Sequence, residues 1–421
     1  MKINIEKLFL FIFVVILSIY SAYFINSNPD IYVHYLIAGD IFRDPSFLWR
    51  TNLSGWQYML SAQSNVFISY PPLVYFFYVF LMALGLPLFL VTIFSMVIIG
   101  YTLYKINWLA IPFLFLSFIF IRETAFNGYD IVMMTTVLLA FYFLIKKKLI
   151  LSGILVGMTA LMKVTGFFAI FAWMISMIIF YRDKIKTKHF ILAFMFAILI
   201  PFPWYFRNYL ITHDIYLSLI GATKEQVIAT TANLATSFQM NQPERFLWDS
   251  SRYYPLPIDL LFYVGIIFFI INLIRTKKIE VWSSFVIIMV IVYFALQLSG
   301  NPFFIIRHEM LIFPFLALEI VKGIPSKYLK YSLVVCIIFL LIWSLNLSKY
   351  SFNQYSEIIT PACNQIKSAI DYEPVYVNAF HNWFVIYKCN LNATIRNESK
   401  WTLDFDQGKL YATNITNTTG V

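Results

Sequence analysis

Long apolar runs alternate with short polar stretches along this chain, from about residue 8 to Leu345. Runs of about 15–20 apolar residues have the length a helix needs to cross a hydrocarbon core of roughly 30 Å. Lipid offers no water to satisfy the backbone, so such spans have to be helices. The pattern predicts spans near residues 8–25, 107–121, 128–145, 149–163, 164–181, 189–206, 256–274, 281–298, 303–320 and 328–345. Residues 72–104 read as two helices broken at Gly85-Leu86-Pro87, one crossing and one lying partly in the interface. The expected architecture is an all-α polytopic membrane protein of about 11 transmembrane helices.

Composition supports that setting. The chain is 60% hydrophobic and only 12% charged, with mean hydropathy +0.74, against about 25% charged residues in soluble domains. Its net charge of +10 does not point to nucleic acid, because the basic residues cluster in short loops between spans. The clusters are Lys146–Lys148, Arg182 to Lys188, Arg275 to Lys278, and Lys322 to Lys330. Placing all of them and Met1–Lys7 in the cytoplasm, as positive-inside bias requires, puts Asn28–Leu73 outside. The first span reads as a retained anchor, with a cleaved signal peptide as the alternative.

This sidedness divides the chain into a transmembrane body, 1–345, and a small α/β tail, 346–421, on the outer side. The body carries two large extracytoplasmic loops, 28–73 and 207–257, the first with a helix of its own. In the tail a helix is expected near Asn353–Ile370, a strand near Pro374–Ala379 and a short helix near His381–Tyr387. Six Asn-X-Ser/Thr sequons, at Asn52, Asn346, Asn392, Asn397, Asn414 and Asn417, all fall on the outer side. Cys363 and Cys389 lie in the tail, and their spacing alone does not establish a disulfide.

The candidate chemistry collects on the outer side as well. Carboxylates at the mouth of a membrane helix are costly beside lipid and are functional candidates by default. Asp30 follows the first span and precedes an expected helix, Ile31–Phe42, where it reads as a general base, a helix cap, or both. His34 is one turn on and shares its face, suited to hold a metal with Asp30 or to serve structurally. Asp40 lies near the helix end, a solvated residue or an acceptor-orienting one. Asp130 opens a later span as a cap, or as a second acid that orients a metal or the acceptor. Lys163 is isolated in an apolar stretch, where it either snorkels to the interface or binds a lipid phosphate. Arg207 and Arg307 are further outer cations, interface anchors or phosphate forks. A divalent metal is compatible with these acids, and the sequence does not decide it. Walker, GxGxxG, HExxH and CxxC motifs are absent in a usable context, which argues against ATP-driven transport and against a nucleotide-sugar site on a Rossmann domain.

Several segments run in a recognisable order over most of residues 1–320. They are Pro29-Asp30-Ile31-Tyr32, Tyr70-Pro71-Pro72-Leu73, Gly128-Tyr129-Asp130, Gly153-Ile154-Leu155-Val156-Gly157 with Lys163, Pro203-Trp204-Tyr205-Phe206-Arg207-Asn208-Tyr209, and Arg307 with Pro314. Together they resemble the GT-C superfamily of integral-membrane glycosyltransferases, in its polyprenyl-phosphate-sugar-dependent branches (protein O-mannosyltransferase-like and aminoarabinose-transferase-like). The resemblance implies a hexose, possibly mannose, carried on a polyprenyl or dolichyl phosphate and transferred with inversion to an extracytoplasmic glycan, lipid or protein acceptor. It implies Asp30 as the base, with Lys163, Arg207 and Arg307 on the donor phosphate. The adjacent acidic pair of the protein O-mannosyltransferases is absent, since Ile31 follows Asp30, and the acceptor class stays open. The competing reading is a transporter or flippase of a polar lipid.

Overall fold

The computed structural model describes residues 29–49, 71–115, 128–181, 187–220, 260–298 and 310–325, and shorter pieces at 14–15, 117, 120, 327–328, 331, 334, 363, 366–368, 370, 375–376, 387, 389–391, 393–394, 401–406 and 409–414. The body is helical. Its elements are α1 (Pro29–Arg43), a 3-10 turn (Pro45–Trp49), α2 (Leu73–Ala83), α3 (Leu90–Asn107), α4 (Ala110–Phe115), α5 (Gly128–Ile145), α6 (Leu149–Ala160) and α7 (Gly166–Tyr181). They continue with α8 (Thr187–Leu199), α9 (Phe202–Thr212), α10 (Ile215–Ile220), α11 (Leu260–Thr276), α12 (Val281–Leu298) and α13 (Phe313–Gly323). Among the described residues, two stretches are long and apolar enough to cross a membrane, Leu90–Asn107 and Thr187–Thr212. Among the described residues, six further apolar helical stretches have 10–17 residues. Twelve-residue α6 extends only about 18 Å at 1.5 Å per residue. A run of apolar residues therefore counts turn and helix alike, and overstates the helix inside it.

The break expected at Gly85-Leu86-Pro87 is present between α2 and α3. Gly85 has φ +65 there, a conformation that only glycine adopts without strain. α6 packs on α5, α7 and α8. Its contact with α8 is backbone-close. A methyl at Gly153 would stand 2.3 Å from the Ala193 carbonyl oxygen, and one at Gly157 would stand 2.9 Å from that of Phe196. Small residues four apart permit this approach, as membrane helices require where no hydrophobic effect drives them together. Gly153→Ala is expected to destabilise the protein by about 1–3 kcal/mol through overpacking. Gly39→Ala, where nothing lies within 4 Å, should not. Thermal unfolding of the two variants in detergent checks the contrast.

A second tie joins α11, α12 and α13. Glu319 is fully buried. Asn272 Nδ2 donates to its Oε2 and to its backbone carbonyl, each at 2.8 Å, and the Ser283 hydroxyl donates to its Oε1. One carboxyl thus engages a side chain from each neighbouring helix. Elsewhere the outward faces are apolar, with Phe80, Ile179, Ile274 and Ile291 all exposed. A water-soluble surface seldom displays so much, and lipid satisfies it.

In the tail the expected strand near Pro374–Ala379 appears as β1 (Val375–Tyr376). A four-stranded sheet forms around it with β2 (Ala393–Thr394), β3 (Trp401–Asp406) and β4 (Lys409–Asn414), in the order β2-β1-β3-β4. β1 runs parallel to β2 and β3, while β3 and β4 are antiparallel with Trp401 opposite Asn414 and Asp406 opposite Lys409. Cys363 and Cys389 form a disulfide.

Candidate functional site at a helix break

The chain between α6 and α7 turns where hydropathy stays high. The amides of Met162 and Lys163 both reach the Thr159 carbonyl at 3.1 Å, and the Gly166 amide reaches the Lys163 carbonyl at 2.9 Å. Gly166 is required there, because a methyl would lie 2.3 Å from the Thr159 backbone. The turn rests on α5 through Thr136 with the Met162 sulfur and Thr165 with the Met133 sulfur.

Lys163 projects from this turn to Asp130. Its Nζ donates to Asp130 Oδ1 at 2.8 Å, and the side chains are 15% and 3% exposed respectively. Asp130 sits in the first turn of α5, where a carboxylate is also favoured by the helix dipole. Its other oxygen, Oδ2, is buried with no hydrogen-bond partner. The cap and phosphate readings of these two residues, taken one at a time, miss the pair. A lone acid and a lone base in apolar segments on one side of a membrane tend to find each other, but nothing local in the sequence names the partner.

The polar segment after the first span reaches the same break from two directions. On one side, the Leu73 amide, just after Pro71-Pro72, donates to the Leu161 carbonyl at 3.0 Å. From there α2 carries Tyr75, whose hydroxyl lies 2.8 Å from Nδ1 of His34 on α1. On the other side, the Tyr205 hydroxyl of α9 donates to the Ala160 carbonyl at 2.7 Å. Two residues on, Arg207 donates to the Leu48 carbonyl at 2.5 Å and to Asn208 Oδ1 at 2.7 Å. Its guanidinium lies 5.4 Å from the Trp49 ring and 5.0 Å from the Trp204 ring. Stacking of this kind suits guanidinium better than ammonium. Arg207 falls inside α9, which runs to Thr212.

The remaining candidates are distributed as follows. Asp30 is the second residue of α1, which begins with Pro29 at its first turn. It is therefore within the helix rather than the cap ahead of Ile31. Asp40 lies 3.7 Å from Arg43, an exposed partner one turn on. Arg307 lies outside the described residues. Among the described residues, no three His, Cys, Asp or Glu side chains gather as a metal site would need.

The profile of glycosyltransferase family 87 matches residues 67–299, more than half of the 421-residue chain. The chain belongs to that family. No curated protein and no solved structure matches it. The family-87 match begins just ahead of Pro71-Pro72 and takes in Asp130, Lys163 and Arg207, while Asp30, His34, Asp40 and Arg307 fall outside it. As a family-87 protein it is a glycosyltransferase that moves a sugar from a donor to an acceptor. Its spanning-length helices and apolar outer faces make it a membrane protein.

Proposed function

We propose that this glycosyltransferase takes its sugar from a polyprenyl- or dolichyl-phosphate carrier and transfers it, with inversion, to an acceptor on the extracytoplasmic side. The body, 1–345, crosses the membrane about 11 times, and the tail, 346–421, lies outside. The sugar is a hexose, with mannose the first candidate.

The observation that carries this reading is the Lys163–Asp130 pair at the break between α6 and α7. A cation held there by a buried acid is fixed in place before a phosphate arrives. Preorganised charge of that kind stabilises the charge that develops on a leaving group. Arg207, close to two indole rings, and Arg307 add to the positive field. The absence of a nucleotide-binding motif in the sequence also favours a lipid-linked donor.

In the reaction, an acceptor oxygen or nitrogen attacks the anomeric carbon. The bond from that carbon to the phosphate oxygen breaks, and the phosphate leaves with the electron pair. The acceptor's proton passes to the Asp30 carboxylate. His34, Asp40 and Asp130 orient the acceptor.

Membranes containing the protein, incubated with labelled polyprenyl-phosphate sugars, should pass the label to a product from which the lipid is gone. Label passed only from nucleotide sugars would overturn the donor assignment. Lipid that crosses the bilayer with its sugar still attached would favour a flippase instead.

A further inference from the structure

Helix α1 carries the proposed base, and two other parts of the chain hold it. Against α2, His34 meets Tyr75, and the Tyr35 ring lies edge-on to Tyr78 with centroids 5.3 Å apart. A second contact comes from the tail. The Tyr387 ring lies 5.0 Å from Tyr32 and 5.6 Å from Tyr35. Tyr32 and Tyr35 are three residues apart and so form one face of α1, and their own rings meet edge-on at 5.8 Å.

Tyr387 is itself anchored. Two residues later, buried Cys389 is bonded to Cys363. Ile366 and Ile370, in the stretch after Cys363, are buried in the same core as Tyr32 and Tyr35. Burial raises the phenols of Tyr32, Tyr35 and Tyr387 above their usual range, so the cluster stays uncharged at working pH.

We propose that Tyr387 is a positioning residue: the disulfide-anchored tail presses its ring onto Tyr32 and Tyr35 and fixes the helix that bears Asp30. The proposal rests on the reading of Asp30 as the base. It gives the tail a part in catalysis. The two Tyr387 contacts, with ring planes tilted by 41° and 51°, engage α1 at positions three residues apart, so they hold the helix in rotation as well as in place. A misplacement of about 1 Å at a reacting group is enough to slow a reaction severely.

The test uses the full-length protein in detergent and three variants: Tyr387→Ala, Tyr387→Phe and the double variant Cys363→Ser/Cys389→Ser. Tyr387→Ala should speed amide exchange across residues 29–43 by about tenfold and lower kcat by about tenfold, with donor affinity unchanged. Tyr387→Phe keeps the ring and should match the wild type in both. The double serine variant should move in the same direction as Tyr387→Ala. Combining all three substitutions should add little beyond the larger single effect, because they act through one contact. Unchanged exchange over 29–43 in Tyr387→Ala would overturn the proposal, and so would faster exchange spread evenly over the body. If the wild type transfers no sugar from any lipid donor, the donor assignment fails, while the exchange measurement still decides whether Tyr387 holds α1.

Discussion

Asp30→Asn is expected to lower sugar transfer by about a thousandfold while leaving donor binding close to wild type. The amide keeps the size and hydrogen-bonding reach of the carboxylate but does not take a proton from the acceptor. The fold should tolerate the change. Asp30 is in the first turn of α1, so the substitution removes one favourable charge–dipole interaction of about 0.3–1 kcal/mol. The two effects therefore separate. Single-turnover transfer with labelled donor reports the chemistry, direct binding of the same donor reports the site, and thermal unfolding reports the fold. Wild-type turnover by this variant would remove Asp30 from the mechanism. Equal losses of turnover, binding and stability would make it a structural residue.

Much of the helical framework was legible because lipid enforces it. Runs near 128–145, 164–181 and 281–298 were expected as spans, and α5, α7 and α12 occupy them almost residue for residue. Gly85-Leu86-Pro87 marked a true break, since glycine and proline state their backbone preferences locally. Hydropathy placed a boundary at Lys163, and the observed turn from Leu161 to Thr165 surrounds it. What it did not supply was the partner. Asp130 lies 33 residues away, and no local period links the two. Tyr75 with His34 and Trp49 with Arg207 were hidden for the same reason, as each is a contact between elements that only the packing brings together. The β3–β4 hairpin is a different kind of omission. Trp401-Thr402-Leu403-Asp404-Phe405-Asp406 alternates apolar and polar residues, and Gln407-Gly408 follows before a second run. That pattern is a hairpin signal, set in a tail that otherwise reads mainly as polar and rich in Asn.

The second large effect separates structure from donor recognition at the ion pair. Lys163→Ala removes the partner of a carboxylate that is 3% exposed. An uncompensated buried charge of this kind costs about 3–5 kcal/mol, and the buried Asp130 Oδ2 already lacks a hydrogen bond to share it. A weaker protein with poor donor affinity is thus expected from this variant, but instability alone would produce the same result. The informative variant is Asp130→Asn/Lys163→Met, which removes both charges and keeps the lysine's apolar length. Replacing a whole buried pair with neutral groups is often close to neutral, so the melting temperature should recover most of the loss. Donor affinity should stay down by roughly ten- to a hundredfold, the size of a lost hydrogen bond to a charged group. Recovery of both stability and affinity in the double variant would reduce Lys163 to the structural partner of Asp130. The donor phosphate would then have to be held by Arg207 and Arg307 alone.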